Sequence, residues 1–312
     1  MNQDLGSLIT LKSIGLSAIQ DLLSQAHAIK AHFKEKGEVQ SLYEGLSVPK
    51  VAALCFFEAS TRTRFSFEAA AFRLGLQTMT LSDVASSSQS KGETYSDTLS
   101  TIAAMQPDVI VCRSTDEVDM AKHSERLGCP FVNAGRGQFE HPTQALLDMM
   151  TIQESFSQTA GLKFVFVGDV AHSRVAASNL FLLQSMGVEV AICAPRGFLP
   201  AGEAWSQLKK FETVHEAADW ADVVMALRIQ LERGADPMTA DELSKFQIGP
   251  EALSRLSAGA IIMHPGPFNR GVEITDEVLE DSRCRIWTQK ENGLYLRIAV
   301  LARSLGLKWK GQ

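Results

Sequence analysis

The chain has 312 residues, 45% hydrophobic and 21% charged, which is long enough for two domains and excludes disordered, collagen-like and disulfide-scaffold classes. Thirty Lys and Arg against 36 Asp and Glu leave a net charge of -6, so there is no overall pull toward nucleic acid or acidic lipid, and an anionic ligand has to be held by a local cluster. The five cysteines (Cys55, Cys112, Cys129, Cys193 and Cys284) are odd in number and form no CxxC pair, which argues against structural zinc and a disulfide framework and for a reducing, cytoplasmic setting. No basic leader precedes an apolar stretch and no apolar run approaches the ~18 residues of a membrane helix, so the chain is expected to be neither secreted nor membrane-spanning.

In chain order, helical spacing over residues 16–34 is followed by an apolar strand at 51–57 and a helix at 61–74. Strands at 77–81, 109–113 and 131–133 then alternate with helices at 95–105 and 119–127. Residues 141–155, HPTQALLDMMTIQES, read as one continuous helix with Pro142 in its first turn, where proline's fixed φ fits. A second series has strands at 163–167, 189–193, 223–226 and 260–263, with helices at 174–186 and 250–256. Leu294, Ile298, Leu301 and Leu305 share one helical face, and this last helix is expected to return to the first half. Short β-branched runs alternating with helices predict an α/β protein of two similar domains, each a parallel sheet flanked by helices. No Gly/Ser/Pro-rich tract separates them.

The strongest chemical signal is the strand 51–57 running into Glu58-Ala-Ser60-Thr61-Arg62-Thr63-Arg64 and a helix. Ser60 is a good N-cap residue, and the N–H groups and partial positive charge of the helix start, with Arg62, Thr63 and Arg64, make a phosphate site. The helix carries Phe65, Phe67, Ala69, Ala70, Phe72 and Leu74 on more than one side and is expected to be buried. The plain alternative is a capped helix whose arginines pair with Glu58.

His141 and Gln144, three apart at a helix start, lie on one face and are able to touch one ligand. A histidine donor there would stabilise charge developing on a carbonyl oxygen; a helix-capping histidine beside a solvated Gln is the alternative. Arg113 ends the strand 109–113, at the end where open parallel sheets bind ligands. Arg174 follows a strand and turn near a helix start, and Arg228 and Gln230 follow another strand and point the same way if extended. Each arginine taken singly also fits a surface ion pair. Residues 85–94, ASSSQSKGET, form a polar loop carrying Lys91. His123, His172 and His215 have no partner pattern and default to surface or packing roles. Dinucleotide, P-loop and zincin motifs are absent.

Taken together, FFEASTRTRFSFE, SSSQSKGET, HPTQALLD, GDVAHSR, RIQLER and HPGP resemble, in order and spacing, the aspartate carbamoyltransferase catalytic chains. The resemblance covers essentially the whole chain. RxQxER, here Arg228 to Arg233, speaks for the aspartate branch, and His264-Pro-Gly-Pro267 lacks the Cys expected in the ornithine branch. The resemblance implies a carbamoyl-phosphate domain at 1–141 with 293–312 and an aspartate domain at 142–292. It implies transfer of the carbamoyl group of carbamoyl phosphate to the α-amine of L-aspartate, an early step of de novo pyrimidine biosynthesis.

By the same resemblance Ser60, Thr61, Arg62 and Thr63 hold the phosphate; Thr63, Arg113 and His141 polarise the carbonyl; and Gln144 contacts the carbamoyl amine. Arg174, Arg228 and Gln230 clamp the aspartate carboxylates, a task suited to arginine's forked donors, with Glu232 orienting Arg228. Ser87 and Lys91 are implied to come from the neighbouring chain of a homotrimer whose active sites are shared between chains. No metal and no organic cofactor is implied, and neither nucleic acid nor membrane is a partner. Many relatives pair with a regulatory chain or with dihydroorotase, and either is open here. Gly266 stands where well-known members carry Leu, which leaves a backbone carbonyl contact in place but removes side-chain packing; Ser90 stands where some carry a second Lys.

Overall fold

A computed structural model describes residues 6–81, 92–229 and 239–311. They fall into two compact units, one formed by the chain up to Leu147 together with Asn292 onward, the other by Asp148–Glu291.

In the first unit α1 (Leu11–Lys36) starts at Thr10, whose hydroxyl accepts the Ser13 N–H. There follow β1 (Tyr43–Glu44), β2 (Val51–Phe56), α2 (Thr61–Leu74), β3 (Gln77–Leu81), α3 (Tyr95–Ala104), β4 (Val109–Ser114), α4 (Met120–Leu127), β5 (Phe131–Arg136) and α5 (Pro142–Ser155). The sheet is parallel with order β3-β2-β4-β5. Strands β2 and β4 are apolar along nearly their whole length because helices cover both faces. Ala53, Cys55, Ile110, Cys112 and Phe131 pack with Leu99 and Met120 into one core.

The second unit continues with β6 (Lys163–Gly168), α6 (Arg174–Ser185), β7 (Glu189–Cys193), α7 (Glu203–Ser206), β8 (Lys209–Phe211), α8 (Val214–Trp220), β9 (Val223–Leu227), α9 (Ala240–Ser244), α10 (Pro250–Arg255), β10 (Ile261–Met263), α11 (Asp276–Glu280) and the start of α12 (Ile286–Ser304). Its parallel sheet has the order β10-β9-β6-β7-β8. The end of α12 belongs to the first unit, as does β11 (Lys308–Trp309), which pairs antiparallel with β1. The expected α/β class with two parallel sheets is therefore the observed one. Among the described residues no helix is long and apolar enough to cross a membrane.

Two local readings are corrected. Helix α2 buries Phe67, Ala70, Ala71 and Leu74, but Phe65 is 54% and Phe72 73% exposed: one face lies on the sheet and the apolar residues of the other are uncovered in the single chain. Strand β8 has no counterpart in the sequence reading. It is three residues long and lies at the sheet edge, with Lys209 placed over the rings of Phe211 and Trp220 at 4.9 and 5.1 Å. Edge lysines discourage pairing with another chain and hide the strand's alternation.

Both sheets contain a switch in strand order. In the first, β2 has β3 on one side and β4 on the other; in the second, β6 has β7 on one side and β9 on the other. The connections out of two neighbouring strands then diverge, and a crevice opens at their carboxyl ends.

Candidate active site

The segment after β2 lies at the first switch. Ser60 is the N-cap residue of α2 in position and backbone conformation (φ -159°, ψ 98°), yet its hydroxyl makes no capping hydrogen bond. By contrast α3, α4, α6 and α8 are each closed by a side chain: Thr94, Asp119, Ser173 and Thr213. The first-turn N–H groups of α2 are thus left for another acceptor, at the positive end of the helix dipole. Arg62 is exposed in that first turn, and desolvation lowers its pKa, with no hydrogen-bonded or charged partner among the described residues. Thr63 is buried. Arg64 turns to Glu68, with Nε 3.8 Å from Oε1.

Arg113 lies at the end of β4, opposite Phe56 in the register. The pairing of β4 with β5 shifts between Cys112 and Ser114, an irregularity that re-aims the side chain between them. Its Nε lies 3.6 Å from Glu58 Oε2, and its carbonyl accepts the Phe57 N–H at 2.8 Å. Glu58 therefore faces Arg113, the arginine that strand order brings beside it.

The segment after β5 carries the remaining first-unit candidates. Arg136 and Glu140 form an antiparallel bridge, and His141 follows at once. The His141 carbonyl accepts the Gln144 and Ala145 N–H groups, so it opens α5, and both His141 and Gln144 are buried. Thr115 Oγ1, Arg136 Nε, Glu140 Oε2 and Thr143 Oγ1 are buried without a partner among the described residues, polar groups left for a ligand, water or another chain to satisfy. Burial raises the Glu140 carboxyl to about 7, against the pull of Lys12 and Arg136. This group was not legible in the sequence.

Arg174 and Arg228 follow β6 and β9, the neighbouring strands at the second switch. Gly168, at the end of β6, has φ +112°, and an added Cβ would lie 2.4 Å from the Leu227 carbonyl oxygen. Only glycine lets the two strand ends approach this closely. His172, read from sequence as surface or packing, is half-buried and packs on Phe198, and the partner that the sequence did not show is Asp169: Nδ1 lies 2.9 Å from Oδ1 of that fully buried carboxylate, which also accepts the His172 N–H. The turn before Arg174 is pinned by that pair. Its sequence signal is Asp followed three residues later by His just beyond a strand. Ser87, Lys91, Gln230 and Glu232 lie outside the described residues.

The model of the aspartate/ornithine carbamoyltransferase carbamoyl-phosphate-binding domain matches residues 7–154, and that of the aspartate/ornithine-binding domain matches residues 160–304. The chain belongs to the aspartate/ornithine carbamoyltransferase family. Within it, the chain is 41% identical over 307 residues to the aspartate carbamoyltransferase catalytic subunit of Chelativorans sp., covering 97% of this chain and 95% of that one. The catalytic subunit of M. jannaschii aspartate transcarbamoylase superposes with a TM-score of 0.86 at 32% identity, covering 96% and 98%. Aspartate transcarbamoylase from Trypanosoma cruzi, solved in complex with aspartate and phosphate, gives 0.80 at 28%, covering 95% and 93%.

Proposed function

We propose that this carbamoyltransferase moves the carbamoyl group of carbamoyl phosphate to the α-amine of L-aspartate, giving N-carbamoyl-L-aspartate and phosphate, an early step of de novo pyrimidine biosynthesis. The observation that carries the reading is the uncapped start of α2, with Ser60 making no cap bond and Arg62 without a counter-charge among the described residues, in a family whose members include relatives named aspartate carbamoyltransferase catalytic subunits. In this reading residues 1–141 with 293–312 take carbamoyl phosphate and residues 142–292 take aspartate.

Ser60, Thr61, Arg62 and Thr63 receive the phosphate oxygens. Thr63, Arg113 and His141 donate to the carbonyl oxygen, and Gln144 accepts from the carbamoyl amine. Arg174, Arg228 and Gln230 receive the two aspartate carboxylates. The neutral α-amine attacks the carbonyl carbon, the C=O electron pair moves onto oxygen, and the donors stabilise that charge. Collapse of the tetrahedral intermediate breaks the C–O bond to phosphate, which leaves with its bonding pair and takes the amine proton. Positioning and charge stabilisation then supply the rate enhancement. Ser87 and Lys91 reach the site from a neighbouring copy in a cytoplasmic homotrimer, and a regulatory chain or dihydroorotase is a candidate further partner.

Arg62→Ala is the direct test. Turnover is expected to fall by about 10²–10³, as for loss of a preorganised donor to developing charge, with the thermal transition unchanged because Arg62 is exposed and no ion pair to it is found among the described residues. Near-normal activity would refute the phosphate assignment.

A further inference from the structure

Arg113 stands at a fault in the first sheet. Cys112 pairs with Asn133 and Ser114 with Arg136, so one residue of β4 faces two of β5, Ala134 and Gly135. A two-against-one bulge is rare between parallel strands; it bends the longer strand and turns the side chains beside it. The residue on the short side is Arg113.

The bulge has a cause in one buried side chain. Gly135 has φ +119°, a conformation that residues with a Cβ rarely adopt. Its N–H donates to Asn133 Oδ1 at 2.8 Å, a turn closed by a side chain two residues back. The other end of the same amide donates through Nδ2 to the Ile9 carbonyl at 2.9 Å. One backbone donor and one backbone acceptor fix which end of the amide is oxygen. Asn133 is 1% exposed and lies between buried Val132 and Ala134, a place where an amide is tolerated because both ends are met.

The backbone on either side is held as well. The Leu8 N–H donates to the Phe131 carbonyl and the Asn133 N–H to the Leu8 carbonyl, both at 2.8 Å. Beyond the bulge the Gly137 N–H donates to the Ser114 carbonyl at 2.8 Å, and Arg136 Nη2 to the Asp116 carbonyl at 2.9 Å. Strands β4 and β5 are therefore fastened before and after Arg113, and between those points the Asn133–Gly135 bond sets the bend. All of these residues belong to the first unit.

We propose that Asn133 is a positioning residue for carbamoyl transfer: by holding Gly135 in the bulge, its side-chain oxygen sets the direction in which Arg113 leaves the sheet toward the carbonyl oxygen of carbamoyl phosphate. The proposal rests on the functional reading above. Because Asn133 acts through Arg113, its influence on turnover disappears when the guanidinium is removed. A residue that merely stabilised β5 would act with Arg113 present or absent.

The test compares Asn133→Val with Asn133→Thr, nearly equal in shape, in the full-length chain with Arg113 intact and again with Arg113→Ala. Thr keeps a hydroxyl oxygen able to accept the Gly135 N–H, whereas Val accepts nothing. Both lose the donor to Ile9, so that loss cancels between them. With Arg113 intact, kcat/KM for carbamoyl phosphate should be about ten-fold lower in Asn133→Val than in Asn133→Thr, since a misplaced donor forfeits much of its effect. With Arg113→Ala the two should agree within two-fold, the non-additivity of groups that act as a unit. Equal kinetics of Val and Thr with Arg113 intact, or the same gap between them without it, would overturn the proposal. If Asn133→Val does not fold, as judged by circular dichroism and thermal melting, Gly135→Ala is compared with wild type in both backgrounds and carries the same expectation and the same refutation. Formation of carbamoyl aspartate by the wild-type chain is the control, and its failure would instead count against the functional reading.

Discussion

Arg113 Nε lies 3.6 Å from Glu58 Oε2, across the carboxyl ends of two adjacent strands whose order reverses at that point. The arginine side chain is 14% exposed and the carboxylate 29%, so the pair is sheltered enough to orient and open enough to exchange partners. Glu58 holds the guanidinium near the strand ends.

That relation predicts a graded series. Arg113→Ala should lower kcat by about 10²–10³, the range for one donor aimed at developing charge. Glu58→Gln keeps the shape and removes the charge, and should cost about ten-fold, or ~1.4 kcal/mol. Steady-state kinetics with matched thermal melts check both, and a Glu58→Gln variant as damaged as Arg113→Ala would contradict the ranking.

Glu140 gives a pH prediction with a definite sign. Its carboxyl is raised by burial from 4.5 to about 7, so between those values the folded state binds more protons than the unfolded one. Stability conferred by the neutral form is present below about pH 4.5 and is lost as pH rises through 7. Glu140→Gln, neutral at every pH, should therefore melt above wild type at pH 8 and close to it at pH 4.5. A difference that grows on acidification would be the wrong sign.

Gly168→Ala places a Cβ 2.4 Å from the Leu227 carbonyl at φ +112°. The strand ends must part, with an expected loss of about 1–3 kcal/mol in denaturant unfolding and weaker aspartate binding, because Arg174 and Arg228 follow the two displaced strands. Wild-type stability would show that the approach of β6 to β9 is not fixed by this glycine.

The parts of the fold legible in the sequence are those whose signal is contiguous. Strand 51–57, the Ser60 turn and helix 61–74 follow each other without a gap, so the strand–turn–helix that opens α2 is readable from spacing, and β3 and β7 match the expected 77–81 and 189–193. Phe65 and Phe72 were misread because periodicity shows that a helix is apolar, not what covers each face. The buried contacts of Gln289 were invisible for another reason. Gln289 on α12 donates to Asp148 on α5, 141 residues away, and accepts the His264 N–H, 25 residues away, and no local pattern carries contacts of that separation. Glu140 was missed because its raised pKa comes from desolvation, a property of packing that no motif carries.

The most direct measurement is product formation by the purified chain from carbamoyl phosphate with aspartate, ornithine and other amino acids in parallel. Carbamoyl aspartate as the sole product, with phosphate released in equal amount, is the predicted result. Carbamoylation of ornithine or another amine with no reaction of aspartate would contradict the account and return attention to Arg174, Arg228 and Gln230.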